Sequence, residues 1–177
     1  YSKRLKAYKQ IGYEICLGIT QSKQTAQAIY DVDNYAAIYK RDLLEVNKEI
    51  IISSPVLSAS KVNEMISFLK EKQEMGIRVI VVTYAPDFYN YGDSGRWMEL
   101  QEKMRRSGFE MKLVEEYCER YTILDQEIVW YGSMNFLAKE DLDDNLMRVQ
   151  SKEIAAELME ITFGIDKTSS NKKLKEA

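Results

Sequence analysis

The spacing of hydrophobic and polar residues along the first half of the chain predicts helices followed by short buried strands. Apolar residues at helical spacing indicate a helix over residues 2–17 and another over residues 34–47, the second capped by Asp31 or Asp33. The run from Glu49 to Ser53 holds three consecutive isoleucines, a pattern typical of a strand that is buried on both faces. This part of the chain therefore predicts layers of helix packed on sheet.

A second buried strand is predicted directly after the next helix. Ser60 is a suitable cap for that helix and Gly76 ends it, after which the run from Arg78 to Thr83 is rich in β-branched residues. Strand, helix and strand within about 35 residues predict a right-handed βαβ unit in a parallel sheet. A loop from Tyr84 to Gly95 then leads to a third helix over Trp97 to Arg106.

The pattern changes in the second half of the chain, where short strands follow one another. Asp125-Gln126-Glu127 predicts a tight turn between two of them, and Ser151 caps a last helix. The fold class predicted is α/β, with a central mixed sheet flanked by helices. The four strands predicted here are Glu110–Val114, Tyr121–Leu124, Ile128–Tyr131 and Leu146–Val149.

Length and composition point to one globular domain. The 177 residues carry a net charge of −3, so the whole molecule is not a basic nucleic-acid-binding body and any such contact must be local. Two distant cysteines, Cys16 and Cys118, make no disulfide framework and favour a reduced cytoplasmic setting, and no apolar run is long enough for a membrane span. The expected organisation, as a piece of a larger protein, is residues 1–27 as helix and linker, 28–165 as the domain and 166–177 as a charged flexible tail.

One segment carries a motif. Cys118-Glu119-Arg120-Tyr121-Thr122-Ile123-Leu124-Asp125, followed by Gly132-Ser133-Met134-Asn135, resembles the phospholipase D superfamily motif H-x-K-x4-D with its later G-S-x-N. The resemblance extends over roughly residues 31–163. The sequence around Gly132 is similar to that of phospholipase-D-like domains appended to bacterial helicases and other nucleic-acid ATPases. It implies the phospholipase-D-like α/β sandwich.

The resemblance also implies a chemistry that this sequence does not keep in full. In the family, a histidine attacks a phosphodiester and a second histidine, from a second motif copy, protonates the leaving oxygen. Lysine, serine and asparagine hold the phosphate oxygens, and the aspartate orients the histidine. Here Cys118 stands in the histidine position and Arg120 in the lysine position, and the chain contains no histidine at all. The catalytic motif is therefore degenerate.

Each motif residue has a structural interpretation beside the functional one. Cys118 is either a nucleophile or a small buried residue, and Arg120 either grips phosphate or forms an ion pair. Asp125 is either an orienting group or a turn residue. Ser133 and Asn135 are either the remnant of a phosphate cradle or parts of the local hairpin.

A basic helix beside an aromatic loop is the candidate for a nucleic-acid contact. The loop contains Tyr84, Phe88, Tyr89 and Tyr91, with Trp97 just after it, and such rings either stack on bases or cover a core. Arg96, Lys103, Arg105 and Arg106 lie on the following helix, where the alternative is a solvated face. The predicted phosphate or nucleic-acid patch consists of Arg96, Arg105, Arg106, Arg120, Ser133 and Asn135.

Three functions are compatible with these features. The first is a non-catalytic phospholipase-D-like domain of a larger bacterial helicase or ATPase-type protein, which binds DNA or RNA backbone or mediates assembly. The second is a phosphodiesterase of nuclease type that uses Cys118 as nucleophile. The third is a homodimerisation scaffold. We expect no cofactor, no metal and no membrane contact, because the sequence has no glycine-rich nucleotide loop and no metal-ligand spacing.

Overall fold

A seven-stranded mixed sheet forms the centre of the computed structural model, which describes residues 27–88 and 94–164. The strand order is β1-β7-β6-β5-β2-β3-β4. The strands are β1 (Gln27–Asp31), β2 (Glu49–Ser53), β3 (Arg78–Tyr84), β4 (Glu110–Val114), β5 (Tyr121–Leu124), β6 (Ile128–Gly132) and β7 (Asn145–Gln150). The helices are α1 (Tyr35–Glu45), α2 (Ala59–Glu74), α3 (Ser94–Arg106) and α4 (Lys152–Phe163), with a 3-10 turn at Pro86–Phe88.

The sheet divides into a parallel half and an antiparallel half that meet at β2. β2 pairs in parallel with β3, and β3 in parallel with β4, whereas β2 pairs antiparallel with β5. The register places Ile51 between Ile80 of β3 and Ile123 of β5. The predicted parallel unit of strand, helix and strand is therefore confirmed, and so is the hairpin of β5 and β6 around residues 125–127.

Both faces of the sheet are covered, which explains the three consecutive isoleucines of β2. Ile50 and Ile52 lie in a core beneath α1, α2 and α3, whereas Ile51 lies in a second core beneath α4. All three side chains are fully buried. Successive strand residues point to opposite faces, so only a strand that is covered on both sides can be continuously apolar.

A buried charged cluster ties the helical layer to the antiparallel half of the sheet. Asp42 of α1 accepts hydrogen bonds from Arg148 Nε at 2.5 Å, Arg148 Nη2 at 3.2 Å and Trp130 Nε1 at 2.9 Å. Trp130 and Arg148 are cross-strand partners in β6 and β7. The cluster satisfies the carboxylate inside the core, where an unpaired charge is costly.

Several element boundaries differ from the sequence-based prediction. α2 is capped by Ser58, whose hydroxyl accepts from the Lys61 amide at 3.4 Å, so the predicted cap at Ser60 is wrong. α1 begins after Asn34, whose side chain makes no capping bond to the helix, and neither Asp31 nor Asp33 is the cap. The cap at Ser151 is confirmed, since its hydroxyl accepts from the Ile154 amide at 3.2 Å.

One strand was not predicted at all. β1 is an edge strand that pairs only with β7, with Ile29 opposite Met147. Its five residues have no strong alternation, and partners more than a hundred positions away hold it in the sheet. The predicted helix over residues 2–17 and the predicted tail over residues 166–177 lie outside the described residues. Within the described residues, no helix is both long and apolar enough to cross a membrane.

Candidate functional site

The motif residues gather at the edge of the sheet where the parallel strands end. Ser53 is the last residue of β2 and Tyr84 the last of β3, and the connection from β4 to β5 crosses this edge with Cys118 and Arg120. Ligand sites in α/β sheets form at the carboxyl ends of parallel strands, because the loops that follow them open a crevice there. The structure therefore places the degenerate motif in the usual position for a site.

Cys118 lies below the surface of this edge. Its side chain is 6% exposed and packs in the core beneath α4. The sulfur lies 3.6 Å from Ser53 Oγ and 3.8 Å from the carbonyl oxygen of Val82. Burial raises the pKa of the Cys118 thiol to about 11, and the hydrogen bond with Ser53 and the positive charge of Arg120 offset only part of that effect. The group in the nucleophile position is therefore a neutral thiol at pH 7.

Arg120, in contrast, is exposed and points to the second half of the motif. Its Nε donates to Asn135 Oδ1 at 3.3 Å. Among the described residues no carboxylate lies within ion-pair distance of the Arg120 guanidinium, so the structural alternative for Arg120, an ion pair with Asp125 or a neighbouring acid, is not formed there. The motif spacing thus brings a guanidinium and an amide together at the surface. The Nη groups of Arg120 and the Nδ2 group of Asn135 are the hydrogen-bond donors that this contact does not use.

Ser133 has a mainly architectural place. Its hydroxyl donates to Asp144 Oδ1 at 2.7 Å and accepts from the Asn145 amide at 3.1 Å, and its own amide donates to the Asn145 carbonyl at 3.0 Å. Gly132 precedes it because a Cβ there would lie 2.1 Å from the Asn145 carbonyl oxygen. The Gly-Ser pair is therefore required by the close approach of β6 and β7.

Asp125 lies at the other end of β5 from Cys118, and four strand residues separate them by about 13 Å along the chain. Both carboxylate oxygens accept backbone amides, from Asn47 at 2.9 Å, Lys48 at 2.8 Å and Glu49 at 3.0 Å. These bonds hold the pKa of Asp125 below its ordinary value against the opposing effect of burial. Of the two interpretations of Asp125, the turn residue therefore describes its contacts, and its carboxylate is not placed to orient Cys118.

The structure adds residues that the motif did not single out. Glu119 Oε2 accepts from the Tyr131 hydroxyl at 3.0 Å, and its carboxylate raises the pKa of Tyr117 through a side-chain hydrogen bond. Tyr117 is 67% exposed at the same edge. Ser53, which contacts Cys118, was also missed. The only sequence signal for Ser53 was its position at the end of a buried parallel strand, which is where site residues collect.

The predicted basic patch is divided by the length of α3. Arg96 lies in the first turn, near the site edge, whereas Arg105 and Arg106 lie in the last turn, about 14 Å further along the helix axis. Both of those arginines pair with Glu102, at 3.9 Å and 2.9 Å. The expectation that Arg105 and Arg106 share one surface with Arg120 is therefore wrong, because a helix of this length places its two ends near opposite ends of the strands.

The aromatic loop is also only partly available for stacking. Trp97 is buried, and its Nε1 donates to the Tyr84 carbonyl oxygen at 3.2 Å, so it belongs to the core. Phe88 is 46% exposed, whereas Tyr89 and Tyr91 lie outside the described residues.

The described residues contain no group of three or more side chains arranged to hold a metal ion.

The mixed sheet, covered by helices on both faces and carrying this motif at its edge, defines a phospholipase-D-type α/β domain. Residues 39–163 match the family model described as "Cardiolipin synthase, PLD-like domain", which is well over half of the chain. The chain belongs to this family of phospholipase-D-like domains. No curated protein matches the sequence.

Solved structures agree on the fold. The chain is similar to Nuc, a phospholipase D family member from Salmonella typhimurium, with a TM-score of 0.57 and 14% identity over 77% of this chain and 92% of that one. It is similar to NucT from Helicobacter pylori with a TM-score of 0.58 and 11% identity, over the same shares of the two chains.

A third similar structure is TrmBL2, described as an archaeal chromatin protein with a novel mode of DNA binding. The TM-score is 0.53 at 11% identity, and the match covers 92% of this chain. The chain spans 57% of the length of that protein. At these identities the likeness establishes the fold.

Proposed function

We propose that this chain is a non-catalytic phospholipase-D-like domain of a larger bacterial protein of helicase or ATPase type, and that it contacts nucleic-acid backbone through Arg120 and Asn135. The observation that carries the proposal is the contrast between two neighbours in the motif. Cys118 is buried and neutral, whereas Arg120 is exposed and held beside an amide. The attacking group is lost and the anion-binding groups remain.

The environment of Cys118 argues against the nuclease alternative. Nucleophilic attack on phosphorus needs a thiolate, and only about one thiol in ten thousand is ionised at pH 7 when its pKa is near 11. The leaving oxygen also needs a proton donor, which the family takes from a second imidazole, and the chain has no histidine. Both halves of the covalent mechanism therefore lack their group.

The exposed pair suits a phosphate that carries a single negative charge. Arg120 uses Nε for Asn135, which fixes the plane of the guanidinium and leaves its Nη donors for a phosphodiester. Asn135 adds its Nδ2 donor. Two carboxylates belong to the same motif region: Glu119, next to Arg120 in the chain, accepts from Tyr131, and Asp144 accepts from Ser133. Their charges disfavour a doubly charged phosphate monoester. Internal phosphodiesters of DNA or RNA meet this requirement, and cytoplasmic nucleic acid is the corresponding partner.

The similarity to TrmBL2 supports this proposal at the level of a shared fold, since DNA binding is stated of that protein.

Assembly is the second candidate, favoured by the exposed aromatic and apolar side chains of Tyr117 and Phe88 at the same edge of the sheet. A homodimer formed across this edge would bury those rings. Sedimentation of the chain over a range of concentrations tests the dimer, which a constant monomer mass would contradict.

Binding to labelled single-stranded DNA, double-stranded DNA and RNA at several salt concentrations tests the proposal. We expect salt-dependent binding that weakens strongly in Arg120→Ala. Arg106→Ala is the matched control, because Arg106 is paired with Glu102 at the opposite end of α3. Equal loss in both variants would show general charge attraction, and absence of binding at low salt would refute the proposal.

A further inference from the structure

An open groove lies on the helical face of the domain, and its lining includes Phe136, which follows the motif residue Asn135 in the chain. It has a volume of about 770 Å³ and lies between α1, α2 and the segment of residues 136–142. Its apolar floor continues the core beneath these helices. The residues that form the floor are Tyr35, Tyr39, Leu43, Met65, Phe68 and Phe136.

Charged groups form the rim of this apolar floor. Lys61 of α2 pairs with Glu140 in the segment 136–142, at 2.5 Å, and with Glu64 of its own helix, at 3.7 Å. Tyr35 donates to the same Glu140 oxygen at 2.7 Å, and Lys40 lies 5.3 Å from the centre of the Phe68 ring. An apolar floor with an ordered polar rim is the form of surface into which an amphipathic helix binds.

The charges of the chain are divided between the domain and the segment before it. Residues 27–164 contain 25 acidic and 16 basic residues, whereas residues 1–26 contain five basic residues and one acidic residue. The net charge of −3 therefore conceals an acidic domain preceded by a basic segment. Opposite charges on two parts of one chain attract each other at low salt.

The basic segment also has the pattern that the groove would accept. Leu5, Tyr8, Gly12 and Ile15 recur at helical spacing and predict one apolar face, while Gln10 falls on the opposite face. A helix with these anchors meets the pattern of helix-in-groove recognition, in which residues three and four positions apart enter one apolar groove.

The connection is long enough for the segment to reach the groove within one molecule. The groove begins at Val32 and Tyr35, just after β1, and the described chain starts at Gln27 at the other end of that strand. β1 spans about 17 Å. The nine residues 18–26 span up to about 30 Å when extended, which is enough to return along the strand.

We propose that residues 1–17 bind as an amphipathic helix in the groove formed by α1, α2 and residues 136–142 of the same chain. The helix covers the apolar floor with Leu5, Tyr8 and Ile15, and its net positive charge is attracted by the net negative charge of the domain. This proposal does not rest on the phosphate site, because neither Arg120 nor Asn135 lines the groove.

Paramagnetic broadening in the full chain tests this contact. A nitroxide on position 9 (Lys9→Cys, with Cys16→Ser) reports on methionine methyl groups, and the buried Cys118 thiol is left unmodified. We expect the Met65 methyl in the groove to lose most of its intensity. The Met159 methyl, which packs in the core on the other face of the sheet, is expected to keep its intensity.

Two matched substitutions sharpen the result. Leu5→Glu should restore the Met65 signal, whereas Gln10→Glu adds the same charge on the opposite face and should leave the broadening in place. Both substitutions lie before β1, and an unchanged Met159 resonance verifies that the domain is folded. Undiminished Met65 intensity in the labelled chain, or equal loss at both methionines, would overturn the proposal. Broadening of an unmodified chain by a separate spin-labelled chain would also overturn it, since the occupant would then be a second copy.

Discussion

The Ser53 hydroxyl lies 3.6 Å from the Cys118 sulfur while it donates its only proton to the Glu119 carbonyl oxygen, 2.6 Å away. While Ser53 donates to Glu119 it has only lone pairs to offer the cysteine, and burial outweighs the lowering effect of the Ser53 hydrogen bond on the pKa of the Cys118 thiol. A thiolate in this position would face a hydroxyl oxygen and the Val82 carbonyl oxygen, 3.8 Å away. The surroundings of Cys118 thus favour the protonated form.

The first prediction concerns the titration of Cys118. In a Cys16→Ser variant the remaining thiol should ionise with a pKa near 11, because burial disfavours the thiolate. The ultraviolet absorbance of the thiolate, followed against pH, measures this value. The same variant in denaturant should titrate at the ordinary thiol pKa. An inflection of the folded protein at or below that ordinary value would contradict the described environment.

The same shift predicts a loss of stability at alkaline pH. The unfolded chain releases the Cys118 proton near its ordinary pKa of 9.0, whereas the folded chain retains it to about 11. The stabilisation is therefore complete below pH 9 and is lost as the pH rises towards 11, by about 3 kcal/mol. Cys118→Ser lacks this titration. Denaturant unfolding should show the wild-type free energy falling more steeply than that of the variant, and parallel curves would refute the prediction.

The buried contact of Asp42 with Arg148 and Trp130 predicts that removing one partner costs more stability than removing both charged partners together. Asp42→Ala leaves the Arg148 guanidinium uncompensated in the core and should lower the free energy of unfolding by about 3–5 kcal/mol. The double variant Asp42→Ala with Arg148→Met removes the stranded charge and should recover part of that loss. Denaturant unfolding of both proteins provides the comparison. A double variant less stable than the single one would contradict this account.

Asp125 should affect stability and leave Cys118 unchanged. Asp125→Ala removes the acceptor of three backbone amides and should destabilise the domain by about 1–3 kcal/mol. Because the folded pKa of Asp125 is lowered, its contribution is present above the ordinary carboxyl pKa and is lost as the pH falls through the folded value. Thermal unfolding measures the loss. A changed Cys118 titration in this variant would show that the two residues are coupled.

The sequence predicted the fold well wherever periodicity is local. The isoleucines of β2, the β-branched run of β3 and the turn at Asp125 carry their signal within a few residues. β1 was missed because its place depends on pairing with β7, at the other end of the domain. The caps of α1 and α2 were displaced by one to three residues, since several Ser, Asp and Asn residues close together are equally suitable by type.

The site was predictable in its residues and less so in their roles. The motif spacing brings Arg120 and Asn135 into contact, and their role as a phosphate site stays a prediction. It did not reveal that Ser133 binds Asp144, that Asp125 lies at the far end of β5, or that α3 separates Arg96 from Arg106. These relationships depend on strand and helix length in three dimensions. A motif written along the chain does not contain them.

The most direct test of the central claim is an assay that follows phosphodiester binding and hydrolysis in the same samples. Wild-type chain and Cys118→Ala are each incubated at low salt with labelled oligonucleotides of DNA and RNA, with Arg120→Ala as the binding control. The account predicts that wild type and Cys118→Ala bind alike and that neither produces cleavage products, whereas Arg120→Ala binds less. Cleavage by the wild type that disappears in Cys118→Ala would contradict it.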